Sequence, residues 1–336
     1  MLKRAAALLG LCVVFLSMAG AGAWAALAIH YSYLDAALRT VLASGCAAAT
    51  LAALIALLLP RWRWKAAAAF GVLFALMVTW WWNTIEPSND RDWQPDVAVL
   101  PHATIDGGRV TVHNIRSFAY RSEMDFTPAY YDRAFEVADL EGMDIVASYW
   151  MGPAVAHILV SFAFSGGRHL AVSIETRKER GEGYSTIKGF FRQYELYYVV
   201  ADERDVIGVR TNYRKDPPED VYVYRVRGPI ENARRLFLGY MREINSLKTK
   251  PEFYNTLTTN CTTSIWMHSR INPGHVGFSW KLLLSGYVPE YLYEKGRLDT
   301  SVPFAELRRR SHVNARARAA DHADDFSIMI RRAAAD

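Results

Sequence analysis

Cysteine is scarce in this chain of 336 residues: there are three. Cys12 and Cys46 lie inside long apolar runs, so Cys261 is the only cysteine of the remainder. That excludes a disulfide framework for the polar part of the chain, and a single cysteine cannot build a structural zinc site. The histidines are scattered without ligand spacing, so no metal is expected and no cofactor is implied. A phosphate-cradling glycine loop is also missing, because Ser165-Gly166-Gly167 reads as a hairpin turn. Excess charge is confined to one end. Residues 1–82 hold Lys3, Arg4, Arg39, Arg61, Arg63 and Lys65 against Asp35, which accounts for the whole formal charge of +5. The rest is balanced, and with no recognised motif this argues against a nucleic-acid partner.

Three long apolar runs are present, from about Ala5 to Ile29, Thr40 to Leu59 and Ala66 to Trp82. Each approaches the roughly 20 residues that cross a bilayer, and Trp80-Trp81-Trp82 fits an interfacial belt. The basic flanks at Lys3-Arg4 and Arg61/Arg63/Lys65 predict a cytoplasmic N-terminus, with everything after Trp82 outside. In a bacterium this is an inner-membrane protein with a periplasmic C-terminal domain. A cleaved signal peptide over residues 1–25 is the alternative, weakened by the length of the first run and the two that follow.

The sequence divides into a membrane anchor (1–82), a periplasmic domain (83–303) and an Arg/Ala-rich tail (304–336) that reads as helical and exposed. The clearest β unit is His157–Phe164, a Gly-Gly turn, and Arg168–Thr176, with alternation in both arms. Tyr194–Val200 and Val206–Thr211 read as a further strand pair turned by Asp202–Asp205. Apolar spacing predicts a helix over Ile230–Asn245 and a shorter one over Thr262–Ser269.

In an oxidising compartment an unpaired thiol is a liability unless it is buried and inert or it does chemistry. Cys261 follows a loop and opens a helix, where free N–H groups and the helix dipole favour a thiolate and an oxyanion. Asn260 is placed to cap that helix or to donate to the oxyanion. A thiol nucleophile needs a histidine base and an orienting third group. His268 lies about two helical turns from Cys261, too far along the axis. Of His102, His113, His157, His169 and His275, His157 is the best placed, because it opens a strand whose partner arm carries His169 and Glu175 on one face. Pairing across a turn at Gly166 sets His157 opposite Glu175, which favours Glu175. The alternative is a surface histidine, with Glu175 paired to Arg177 or Lys178.

The runs Ala156–Phe164, Val172–Glu179, Tyr184-Ser185, Tyr194–Leu196, Asp202–Asp205 and Tyr254–Thr263 together resemble the Lnb N-terminal periplasmic domain family of lipoprotein N-acyltransferases, over roughly residues 90–300. The resemblance implies an α+β chain: three N-terminal transmembrane helices, then a circularly permuted papain-like (NlpC/P60-like) thiol domain whose histidine strand precedes its cysteine helix. It implies Cys261 as nucleophile, His157 as general base and acid, and Glu175 as the orienting carboxylate. Asn260, Arg177 and Tyr184 become residues lining the substrate site. The implied partners are membrane phospholipid and a lipoprotein or cell-wall substrate, and the implied reaction is acyl transfer through a thioester to an amine. A papain-like peptidase or amidase, or a non-enzymatic binding domain, are the alternatives. One departure stands out: in Lnb-type acyltransferases the periplasmic domain comes first and membrane helices follow, whereas here the helices lead.

Overall fold

The computed structural model describes residues 2–332. The chain folds into two compact units, one of residues 1–87 with 185–193 and one of residues 88–184 with 194–336.

The first unit holds three helices long and apolar enough to cross a membrane: α1 (Leu2–His30), α2 (Ala36–Leu58) and α3 (Arg63–Thr84). All three begin several residues before the apolar runs suggested, because helix continues into the flanking Lys3, Arg39 and Lys65. Asp35 starts α2 by accepting from Ala37 N and Leu38 N. At Gly22 α1 meets α2 so closely that a Cβ there would overlap the Thr50 side chain, the small-residue contact by which apolar helices approach. In residues 185–193, Phe191 stacks on Tyr31 at 5.4 Å and Arg192 lies over the Trp82 ring at 3.7 Å.

The second unit is a sheet covered on both faces. Its strands are β1 (His102–Asp106), β2 (Arg109–Arg116), β3 (Ala119–Tyr120), β4 (Phe126–Thr127), β5 (Tyr130–Glu136), β6 (Leu140–Tyr149), β7 (Ala156–Phe164), β8 (Arg168–Arg177), β9 (Glu195–Ala201) and β10 (Asp220–Arg225). The order is β1-β2-β9-β8-β7-β6-β10, with β5 also on β2, while β3 and β4 form a separate ribbon. Period-two alternation in β7 and β8 sends Ile158, Val160, Phe162, Leu170 and Val172 to one core and Leu159 and Ala171 to the other. Helix α4 (Glu203–Gly208) supplies Val206 and Ile207 to the second core. Helix α5 (Ile230–Thr249) packs Leu236, Phe237, Tyr240 and Met241 on the first. That face is completed by α6 (Cys261–Ser269), α7 (Trp280–Leu283) and α8 (Val288–Glu294).

Two expectations are corrected. Residues 206–211 are not a strand: the segment is α4 followed by a π-turn over Val209–Tyr213. Buried ion pairs hold it across the sheet. Asp205 takes both Arg116 Nε and Nη2, at 3.1 and 2.6 Å, and Glu203 takes Arg331. Local apolar spacing could not register those tertiary anchors. The tail is helical, as α9 (Phe304–Ser311), α10 (Asn314–Ala319) and α11 (Phe326–Met329), but it is not exposed. Val313, Ala317, Ala320, Phe326 and Ile330 are buried in the second core, and Arg331 reaches Asp144 at 2.7 Å. Arg309, Arg310, Arg318 and Arg332 are exposed around those positions, so composition alone reads as a solvated surface.

Candidate active site

The β7–β8 ladder stops at Val160↔Val172, although β7 begins four residues earlier and β8 continues to Arg177. Beyond that point β7 pairs only with β6, and β8 only with β9. The strands part there, and α6, which packs against both, brings its first residue to the opening.

The loop before α6 is built to present that residue. Asn255 Oδ1 accepts from Leu257 N and Thr258 N at 2.9 and 3.0 Å, and Asn260 Nδ2 donates to Thr256 O at 2.7 Å. Asn260 Oδ1 then accepts from Thr262 N and Thr263 N, and Thr263 Oγ1 accepts from Asn260 N, closing a capping box. Asn260 is thus the helix cap. Cys261 sits at the first position of α6, and among the described residues its own N–H has no hydrogen-bond partner.

Cys261, His157 and Glu175 come together at the opening. His157 Nε2 lies 2.6 Å from Ser173 Oγ and 3.2 Å from Glu175 Oε1, and Ser173 Oγ donates to Glu175 Oε1 at 2.7 Å. With Nε2 engaged there, Nδ1 is the nitrogen left for the sulfur. Burial alone would raise the Cys261 thiol, but the charge and hydrogen bond of His157, the Ile158 N–H and the Thr262 hydroxyl outweigh it, and the thiol falls below its ordinary value. For His157 burial works downward. Glu175 and the Cys261 sulfur overcome it and push the imidazole up to about 9. Glu175 is raised by burial but carried well below the carboxylate range by His157, Arg210 and Ser173. All three shifts favour the same arrangement: thiolate, imidazolium, carboxylate.

Two contributors carried no local signal in the sequence. Ser173 looks like any small strand residue. Arg210 comes from the π-turn, buried, and donates to Glu175 at 2.7 Å and to Val206 O at 2.7 Å. Behind it Glu219 bonds Ser148 Oγ and takes Arg214 at 2.7 Å. A π-turn is an uncommon distortion that often marks a working site. Here it points a cation at the carboxylate.

The other expected site residues lie as follows. Tyr184 is exposed and engages Tyr254, whose hydroxyl is pushed up first by burial and then by the nearby Cys261 and Tyr184. Arg177 is fully buried and spent on the framework, donating to Val97 O, Ala98 O and Asn89 Oδ1 at 2.9–3.0 Å, with its guanidinium 4.2 Å from the Trp93 ring centre. His268 donates to or accepts from Tyr198 Oη at 2.8 Å, away from the thiol. His169 does not join His157. It lies with Asp144 and Glu203, their ligand-type atoms within 4.8 Å of one another. Arg331 fills that cluster, reaching Glu203 at 2.5 Å and Asp144 at 2.7 Å.

Residues 126–286 match the family model described as the Lnb N-terminal periplasmic domain. The resemblance read from the sequence holds over that stretch. The Lnb-type segment runs from β4 to just before α8 and contains His157, Ser173, Glu175, Arg210 and Cys261. Preceded by three apolar helices, it is a periplasmic-type domain in a chain equipped for membrane anchoring. No curated protein and no solved structure gave a significant match.

Proposed function

We propose that this protein is a membrane-tethered thiol acyltransferase of the bacterial inner membrane, with its N-terminus in the cytoplasm and its sheet domain in the periplasm. The observation that carries the reading is the convergence of Cys261, His157 and Glu175 where β7 and β8 part. The order of histidine strand, carboxylate strand and cysteine helix supports a permuted papain-like arrangement.

In this scheme Cys261 Sγ attacks the carbonyl carbon of an acyl ester. The developing oxyanion takes the Cys261 N–H, at the positive end of α6. The C–O bond to the alcohol breaks, and the His157 imidazolium gives its proton to the leaving oxygen. A thioester on Cys261 remains. An amine, such as a lipoprotein N-terminus, then attacks the thioester while the neutral imidazole accepts its proton. The C–S bond breaks, an amide leaves, and the thiolate–imidazolium pair is restored. Glu175, backed by Arg210 and linked through Ser173, orients the ring and stabilises its charge throughout.

Intact mass spectrometry of the purified protein after incubation with phospholipid tests this. The expected result is an acyl-sized, hydroxylamine-labile mass gain that Cys261→Ser lacks. A fast-alkylating Cys261 with no adduct would favour a hydrolase of peptide or amide bonds. A thiol that alkylates no faster than free cysteine would sink the nucleophile and leave a binding domain.

A further inference from the structure

A cavity of about 210 Å³ lies on the α5–α6 side of the sheet, and the triad does not use it. Its walls are apolar: Ile145 and Ile158 come from the sheet, Leu236 from α5, Ile265 from α6, and Leu282 and Val288 from the segments that follow. One end reaches the nucleophile from two directions. Thr262 lines the cavity and its Oγ1 is 3.7 Å from Cys261 Sγ, while Ile158 lines it too and presents its N–H to the same sulfur.

The other lining residues have a different character. Arg225, Arg227 and Arg297 border the cavity against a single carboxylate, Glu141. Arg225 pairs with Asp144 at 2.8 Å and Arg227 with Asp299 at 2.9 Å. Arg297 donates to Gly274 O, and no carboxylate pairs with it among the described residues. Its guanidinium lies over two glycines, where an added Cβ on Gly228 or Gly274 would come within 3.8 or 3.6 Å of its nitrogens. Arg227 N donates to Arg297 O at 2.7 Å, tying the two arginines together. An apolar cavity of this kind holds hydrocarbon rather than water, and a guanidinium fork matches phosphate.

We propose that the cavity is an acyl-chain site for an anionic glycerophospholipid, with the chain between α5, α6 and the sheet and the phosphate on Arg227 and Arg297. This rests on the acyl-transfer reading in one respect, that the ester of this lipid is the donor Cys261 attacks. It also narrows that reading. A lipoprotein's own diacylglyceryl group carries no phosphate and cannot use the arginines, so the lipoprotein amine is acceptor only. Each further methylene buried tightens binding roughly fourfold, so the apolar walls select for chain and the arginines for headgroup.

The test uses the full chain carrying Cys261→Ser, which blocks turnover, in phosphatidylcholine nanodiscs with a trace of phosphatidylglycerol bearing a diazirine near its acyl terminus. After irradiation the labelled peptides are mapped. Label is expected on the segments around Ile265, Leu282 and Val288. Unlabelled phosphatidylglycerol should compete roughly tenfold better than phosphatidylcholine or diacylglycerol, and Arg227→Ala with Arg297→Ala should erase that preference. Leu236→Trp, whose indole fills the cavity, should lose the label. Should that variant fail to fold, the arginine variants still decide. Label confined to residues 2–84, or equal competition by diacylglycerol, overturns the proposal. Full displacement by inorganic phosphate would make this a free-phosphate site and overturn it as well. Cys261 alkylation in the otherwise native chain is measured in parallel. Fast alkylation without cavity label defeats the lipid site alone, and cavity label with an unreactive thiol defeats the catalytic reading alone.

Discussion

His157 and Glu175 meet across a gap in the sheet rather than across a ladder: Nε2 stands 3.2 Å from Oε1, with Ser173 Oγ bridging the two, past the last β7–β8 pair. Had the ladder continued, the N-terminus of α6 would have no opening to approach. The break in pairing gives His157 a carboxylate on one ring nitrogen and leaves the other for the sulfur.

That arrangement fixes a pH dependence. The Cys261 thiol is depressed, so its thiolate persists above that lowered value, while His157 keeps its proton up to about 9. Acyl transfer is expected to fall on the acid side as the thiolate is protonated, and again near pH 9 as the imidazolium loses the proton it must donate. At about pH 6, below the ordinary thiol range, iodoacetamide should modify Cys261 at least roughly tenfold faster in the wild type than in His157→Ala. Equal rates in the two proteins would remove the ion pair from the account.

Ser173 should act through His157. Ser173→Ala deletes the bridge but keeps the direct carboxylate contact, so alkylation at about pH 6 should slow by roughly three- to tenfold. Glu175→Gln removes the charge that supports the imidazolium and should slow it by on the order of 100-fold. A Ser173→Ala protein with an unchanged pH profile would show that the serine merely fills space.

Much of this was legible in the sequence, and the reasons differ by element. The Gly-Gly turn fixes the register only as far as Val160↔Val172; the expected pairing of His157 with Glu175 does not form, and the two side chains meet instead across the gap beyond it. The cysteine at a helix start followed from the Asn260 cap. The three apolar helices followed from length and composition. Arg210 was not legible, because its segment has apolar residues at spacings that suit a strand as well as a helix. Buried pairs at Asp205 and Glu203, to partners far along the chain, settle the matter. Arg177 shows the opposite failure. A charged residue beside the motif reads as a ligand for substrate, but in the fold its guanidinium is consumed by three framework acceptors.

Arg177→Ala should therefore lower stability rather than chemistry. It would strand two backbone carbonyls and Asn89 Oδ1 and empty the space beside Trp93. A loss on the order of 3 kcal/mol is expected, read as a lower thermal midpoint. The folded variant should keep the wild-type rate of Cys261 alkylation. A stable variant with impaired acyl transfer would return Arg177 to the substrate site.

The tail carries the last prediction. Arg331 joins α11 to Glu203 and Asp144, and Glu203, though burial works upward on it, is held at about 2 by that guanidinium. A folded carboxylate with a depressed value contributes stability that is present above its ordinary value near 4.5 and is lost as pH falls toward 2. The wild-type thermal midpoint should therefore drop across that interval. Arg331→Ala leaves Glu203 buried without its cation and should cost about 3 kcal/mol at neutral pH. Its pH response should also reverse. Protonation now relieves an unpaired buried charge, so the variant should gain stability relative to the wild type as pH is lowered from about 7 to about 5. Parallel melts over that range would mean that Arg331 is a surface contact, and that the second core holds the tail by its apolar residues alone.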